Sequence, residues 1–249
     1  MIKAVAFIPA RSGSKRIPHK NIRNIGGHPL LAYSIRAALD SGIFDQVILA
    51  TDSQDYADIG IYYGAKVPFM RESDISSDQS PDIEWVEFAL NQLKASGSTF
   101  DIFSILRPTS PFRKAETIRR AYEQFLHMNN VDSLRAVEKC EQHPGKMWVV
   151  RGDYMHPLMP LTPPGQPWHS SQYAALPEVF IQNASLEIAW TRVVFQYRTI
   201  SGQIITPFLT RGDEGLDVNQ EFDWWKAERM LASGQANLPP ISLKPFSNN

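Results

Sequence analysis

For its first 137 residues the chain repeats one pattern: a short apolar run, a polar connection, then a longer amphipathic stretch. Lys3–Ile8, Gln46–Ala50, Lys66–Phe69, Ile102–Leu106 and Ser133–Val137 read as short buried strands. Between them, Pro29–Ser41 reads as a helix with Pro in its first turn and Gly42 beyond its end. Asp52 and Ser53 offer N-caps for a helix reaching about Tyr63, and Pro81–Ala95 and Lys114–Met128 carry apolar residues at helical spacing. Strands alternating with helices predict an α/β fold, a mostly parallel twisted sheet flanked by helices. In such sheets ligands sit beyond the carboxyl ends of the strands, which places the polar connections after Ile8, Ala50 and Leu106 along one functional edge.

Past about Glu138 the texture changes. Met147–Met155 predicts a hairpin turning at Arg151-Gly152-Asp153, and Pro157–Pro177 a proline-rich extended excursion. Ser185–Trp190 and Ile204–Leu209 read as strands, Glu221–Ala232 as a helix, and 234–249 as a loose tail. Residues 1–233 are expected to form a single domain in which about 138–200 make a smaller mixed lobe.

Charge excludes some functions. Lys plus Arg number 25 and Asp plus Glu 26, a net charge of −1, which gives no broad field for nucleic acid or an anionic membrane. Any anion site must be a local cluster. The single cysteine, Cys140, allows neither an intrachain disulfide nor a cysteine zinc cage. No apolar run has the length of a spanning helix and the opening is too short for a signal peptide, so a cytoplasmic location without membrane attachment is expected.

The local cluster is at hand. Pro9-Ala10-Arg11-Ser12-Gly13-Ser14-Lys15-Arg16 follows the first strand, and Lys20-Asn21 come soon after. Four cations and a glycine behind a strand suit a polyphosphate, because backbone amides can approach the anion where no side chain intervenes. The pattern is neither of the common glycine-rich phosphate motifs. A solvated basic loop is the competing reading.

These residues carry a resemblance. Ile8-Pro9-Ala10-Arg11-Ser12-Gly13-Ser14-Lys15 with Lys20-Asn21 is similar to the I-x-A-R-x-x-S-K-x-x-x-x-K-N opening of the cytidylyltransferases that activate nonulosonic acids, the CMP-N-acetylneuraminate synthetase family with its pseudaminate and legionaminate relatives. Ala50-Thr51-Asp52-Ser53 and Leu106-Arg107-Pro108-Thr109-Ser110-Pro111-Phe112-Arg113 resemble further family segments, the latter its L-Q-P-T-S-P-L-R. So do Arg71 with Ser77-Asp78, Glu141-Gln142-His143-Pro144, and Gly215-Leu216-Asp217-Val218-Asn219. The resemblance covers roughly residues 3–233.

It implies a Rossmann-like nucleotidyltransferase that moves CMP from CTP to an anionic sugar acid, with Mg2+ as cofactor and a homodimer formed through the smaller lobe. Arg11, Lys15 and Asp217 would be catalytic. Ala10, Ser14, Lys20, Asn21, Arg71, Ser77, Asp78, Arg107, Thr109, Ser110 and Gln172 would bind substrates. Asp217 and Asn219 would hold the metal, although a helix cap before Glu221 is the other reading of that pair.

The pattern departs in two places. Arg107 replaces the family's glutamine, and Ile181-Gln182-Asn183-Ala184-Ser185 replaces R-P-N-G-A, losing an arginine that can hold the sugar carboxylate. Arg107 is expected to supply that contact, to touch CTP phosphate, or to pair with an acid. A different anionic acceptor, such as another ulosonate or a phosphonate, and a nucleotide-binding protein without catalysis are the alternatives to nonulosonate transfer.

Overall fold

The computed structural model describes residues 2–77, 79–160, 162–163 and 165–247. The chain divides into two compact units, residues 1–136 with 183–249, and residues 137–182.

The first unit is built on a six-stranded sheet. In chain order its elements begin with β1 (Ala4–Pro9), a two-residue pair β2 (Asn24–Ile25) and β3 (His28–Pro29), then helix α1 (Leu30–Ser41). There follow β4 (Gln46–Ala50), α2 (Gln54–Tyr62), α3 (Asp82–Ala95), β5 (Ile102–Ile105), α4 (Ala115–His127) and β6 (Ser133–Lys139). After the second unit's hairpin, β7 (Trp148–Arg151) and β8 (Tyr154–Pro157), the chain returns as β9 (Phe180–Trp190), α5 (Arg192–Tyr197), β10 (Ile205–Leu209) and α6 (Glu221–Ala232). The strand order is β10-β6-β9-β5-β1-β4. β1 pairs in parallel with both β4 and β5, so their carboxyl ends share one edge. β9 runs antiparallel to β5, with Glu187 opposite Ile105.

Alternation along β1 builds a core on each face. Ala4, Ala6 and Ile8 pack with Leu31 and Ile35 of α1, Tyr56 and Ile59 of α2, and Ile118 and Phe125 of α4. Val5 and Phe7 pack on the other side with Trp85, Val86 and Leu90 of α3 and Val193 of α5. A third cluster joins Ile17, Phe112, Val218 and Trp224, and it lies under the polar connections.

Several expectations change. Lys66–Phe69 contributes only one parallel bridge, Ile48 to Lys66, because Pro68 has no amide to continue a ladder. The lobe expected over 138–200 ends at Gln182, since Ser185–Trp190 belongs to β9, hydrogen-bonded against β5 in the main sheet. The tail expected to be loose is packed. Ala236 is buried, Ile241 and Phe246 lie against the core, and the Phe246 amide donates to Tyr63 Oη at 3.1 Å.

In the second unit β7 and β8 form the expected hairpin, with Gly152 at φ 60 in the turn, where a side chain would be strained. His143 Nδ1 accepts from the Gly145 amide at 2.9 Å and its Nε2 lies 2.9 Å from the Pro177 carbonyl, so the ring acts as a strut. Among the described residues no helix is long and apolar enough to cross a membrane.

Candidate active site

The polar connection after β1 is anchored from below and open above. Ile17 is buried in the third core cluster, while Lys15 and Arg16 on the same loop are exposed. Ala10 is buried and its amide donates to the Ala50 carbonyl at 3.0 Å, tying the loop's first residue to β4. The Ser14 amide donates to the Ser12 carbonyl at 2.9 Å, a tight turn around Gly13. Asn21 Nδ2 donates to the Arg11 carbonyl at 3.1 Å and closes the loop on itself, so this side chain, expected as a phosphate donor, is engaged in shaping the loop.

Opposite the loop stands the segment before α6. Val218 is fully buried, and its amide donates to the Thr109 carbonyl at 2.8 Å. Its burial leaves its neighbours Asp217 and Asn219 part-exposed, as extended backbone requires. Lys20 Nζ reaches across to the Val218 carbonyl at 2.8 Å, and Arg16 Nη2 lies 3.4 Å from Asn219 Oδ1. Asn219 Nδ2 donates to Asp217 Oδ2. Asp217 Oδ1 is buried and has no hydrogen-bond partner among the described residues.

The competing cap reading belongs to another acid. Asp223 Oδ2 accepts the Asn219 and Gln220 amides, each at 2.9 Å, and Gln220 is the N-cap of α6. Asp217 is therefore free of a capping role. Glu214 is likewise structural: bonds from Arg120, Thr117 and the Arg211 amide outweigh its burial and hold its carboxyl below the usual range.

The electrostatics show that the cations converge. Burial is the main cause lowering the Lys20 pKa; Asp217 opposes it, and Arg16 and Arg11 add to it. Arg71 is also lowered chiefly by burial, with Asp52 opposing and Arg11 again adding. Arg11 thus lies close to both Lys20 and Arg71. Asp223 near Lys20 and Asp82 near Arg71 oppose the lowering as well, so acids stand among these cations; like charges brought this close to one another gain by taking up an anion.

The remaining expected residues are placed as follows. The Arg71 guanidinium donates to the Ile75 carbonyl and sits 5.2 Å from the Trp85 ring centre. Ser77 is exposed, and its hydroxyl binds Ser80 and accepts the Gln79 and Ser80 amides, so it organises its own loop. Asp78 lies outside the described residues. Ser110 Oγ is buried with no partner among the described residues. Gln172 belongs to the second unit, where it starts a short turn with its carbonyl accepting from the Ala175 amide at 3.0 Å.

Arg107 is paired with acids. Its Nη2 meets Asp82 Oδ2 and, at 2.9 Å, Glu187 Oε1, and Glu187 is shared with Arg135. Of the three readings open in the sequence, acid pairing is the one the geometry displays. Behind it Arg113 is fully buried, donating to Ser34 Oγ at 2.6 Å and to the carbonyls of Ser185 and Arg107; burial pulls its pKa down to about 9. The Glu187–Arg135 pair and Arg113's role were missed in the sequence, because β9 finds its place in the sheet only through long-range pairing.

Among the described residues no three His, Cys, Asp or Glu side chains cluster as a metal cage. Magnesium bound to a triphosphate needs no such cage, since it takes one or two protein oxygens and draws the rest from phosphate and water. The unpartnered Asp217 Oδ1 fits that demand, while Asn219 turns its amide nitrogen to Asp217 Oδ2 and its oxygen to Arg16.

A mostly parallel sheet flanked by helices, with a cationic loop beyond the carboxyl end of β1 and the Asp217 segment opposite it, defines an α/β domain. Comparison with known proteins gives the family. The cytidylyltransferase family model matches residues 5–146. The chain is 32% identical over 238 residues to the CMP-N,N'-diacetyllegionaminic acid synthase of Legionella pneumophila, covering 95% of this chain and 100% of that protein. It is 40% identical over 125 residues to the pseudaminic acid cytidylyltransferase of Campylobacter jejuni, covering 50% of this chain and 54% of that one. Among solved structures, a CMP:2-keto-3-deoxy-manno-octonic acid synthetase complexed with CTP superposes with a TM-score of 0.67 at 16% identity, covering 93% of this chain and 99% of the other, which speaks for the fold alone. The chain belongs to the cytidylyltransferase family, in the group that includes the CMP-nonulosonic acid synthetases.

Proposed function

We propose that this enzyme transfers the cytidylyl group of CTP to a hydroxyl of a nonulosonic sugar acid and releases pyrophosphate. The observation that carries the reading is the buried, unpartnered Asp217 Oδ1 facing a loop whose cations outnumber its acids. The relatives named for diacetyllegionaminic, pseudaminic and N-acylneuraminic acid support the acceptor class.

In this account Arg11, Lys15 and Arg16, with the amides around Gly13, hold the triphosphate at the carboxyl edge of β1. Holding it there fixes the α-phosphorus for in-line attack. The acceptor hydroxyl oxygen forms its bond to that phosphorus as the bond to the bridging oxygen breaks; both electrons of that bond leave with pyrophosphate, and the hydroxyl proton passes to solvent. Lys20 and Arg11 stabilise the charge that builds on the phosphate oxygens. Mg2+, held by Asp217 and Asn219, would supply further charge neutralisation on the triphosphate and the leaving pyrophosphate. The second unit is taken as a dimerisation lobe, supported by the exposed Val150, Tyr154 and Met155 of its hairpin.

A second reading keeps the reaction and changes the acceptor. It is favoured by Ile181, where the family carries a carboxylate-binding arginine, together with the acid-paired state of Arg107. Pyrophosphate release from CTP and Mg2+ with legionaminic, pseudaminic, neuraminic and octulosonic acids separates the two. Turnover with one of the first three supports the proposal. Turnover confined to the octulosonic acid, or none with any acid, contradicts it.

A further inference from the structure

The connection between β4 and α2 braces the phosphate loop near both of its ends. At the near end Asp52 uses both carboxylate oxygens on one loop residue, accepting the Ser12 amide at 2.8 Å and the Ser12 hydroxyl at 3.2 Å. At the far end the Tyr56 hydroxyl lies 3.5 Å from His19 Nδ1. His19 holds a left-handed conformation, φ 51, just before the Lys20–Ile22 turn. Between the two contacts Ser53 caps α2 by accepting the Tyr56 amide, so the start of the helix is fixed in place.

An acid in this position calls for an explanation. A site for a polyphosphate loses attraction with every carboxylate placed beside it. Asp52 is nevertheless close to the cations. Burial lowers the pKa of Arg71 and Asp52 opposes that lowering, and the Arg71 amide donates to the carbonyl of Thr51, the residue before Asp52. Asp52 therefore stands between the loop and Arg71, in bonds to the first and in the field of the second. Ser12 is the residue between Arg11 and Gly13, so fixing its amide and hydroxyl fixes where the Arg11 side chain leaves the backbone and where the next amides point.

We propose that Asp52 is a positioning residue of the nucleotide site, shaping the phosphate loop through Ser12 and setting it in register with Arg71. The proposal rests on the reading that this loop binds a polyphosphate. Asp52 itself touches no substrate; it acts through Ser12 and Arg71. Repulsion of the phosphates is the cost, and a loop held ready before the nucleotide arrives is the gain, since ordering it afterwards would weaken binding.

The test uses the full chain with Asp52→Ala, Asp52→Asn and Ser12→Ala, and measures binding of Mg–CTP, inorganic triphosphate and cytidine alongside KM and kcat. Asp52→Ala is expected to weaken CTP and inorganic triphosphate by the same factor, on the order of tenfold, the scale of one charge-assisted hydrogen bond. Cytidine affinity should not move, and KM should rise more than kcat falls. Asp52→Asn keeps an oxygen for the Ser12 amide and should recover most of the loss, at a melting temperature matching wild type. Ser12→Ala, which loses only the hydroxyl bond, should fall between. Equal loss in the Asn and Ala variants, wild-type affinity in both, or tighter triphosphate binding in Asp52→Ala each overturns the proposal. A wild-type chain that binds triphosphate yet releases no pyrophosphate would sink the reading of its activity while leaving this binding test intact.

Discussion

Glu187→Gln should destabilise the protein far more than its conservative chemistry suggests. Glu187 lies on β9 with its side chain 5% exposed, paired with Arg135 at 10% and with Arg107 at 28%. The amide keeps the volume of the carboxylate and removes its charge. Arg107 retains Asp82, so the loss falls on Arg135, which has no other acid in ion-pair contact among the described residues. Burial is the main cause that pulls Arg135 down to about 10, so it stays charged at neutral pH and cannot escape the penalty by releasing its proton. Removing one partner from a buried pair costs about 3–5 kcal/mol. For a chain of this size that is about 6–20 °C in melting temperature, at about 2–4 °C per kcal/mol. Urea unfolding followed by the fluorescence of buried Trp85 and Trp224 reads the loss directly. The control is the double variant Glu187→Leu with Arg135→Met, which removes both charges and fills the space. It should lie within about 1 kcal/mol of wild type, or above it. A loss below about 1 kcal/mol in Glu187→Gln, or a double variant less stable than the single one, refutes the reasoning.

Three further outcomes follow from the site and its surroundings. Gly13→Ala should leave stability unchanged or raise it by up to about 1 kcal/mol, because nothing lies within 4 Å of the added carbon and the backbone there is not left-handed; CTP affinity should fall severalfold if the neighbouring amides approach phosphate, as calorimetry would show. Burial pulls Lys20 below the ordinary lysine pKa, so its ammonium is neutralised earlier as pH rises, and kcat/KM should decline on the alkaline side before an ordinary lysine would titrate; in Lys20→Arg that limb should move to higher pH, because guanidinium keeps its charge. His28 is lowered from 6.5 by burial, so below that pH the unfolded chain takes up a proton that the folded one resists, and stability falls with acidification; the urea midpoint should drop less between pH 7.5 and 5.5 in His28→Gln than in wild type.

Local chemistry accounts for what could be read before the structure. Pro29 and Gly42 bracket α1 because one starts a helix without a spare amide and the other ends it at φ 68, and β4 and α6 fall where their patterns place them. The cationic loop was legible from its position after β1. The Asp217 segment needed the resemblance, and its orientation needed Val218, whose burial and bond to Thr109 no local pattern announces. Elements decided by distant pairing were hidden. Phe180–Trp190 is one long strand inserted between β6 and β5, β5 pairing with Glu187–Trp190, and Glu187 meets Arg135 only through that insertion. The tail after Ser233 looks polar, yet Ala236 and Phe246 find apolar partners far back in the chain. Asp52 reads equally as a helix cap in the sequence; the folded chain gives the cap to Ser53 and Asp52 to the loop.

CTP affinity across a Mg2+ titration, in wild type and in Asp217→Asn, bears most directly on the claim that this carboxylate and the cationic loop together hold a metal–nucleotide. Wild type should bind CTP at least about tenfold tighter with saturating Mg2+ than without, a gain of about 1.4 kcal/mol. The variant should bind metal-free CTP at least as tightly as wild type, since one carboxylate fewer repels the phosphates, and should lose that gain. A full Mg2+ enhancement surviving in Asp217→Asn would contradict the account.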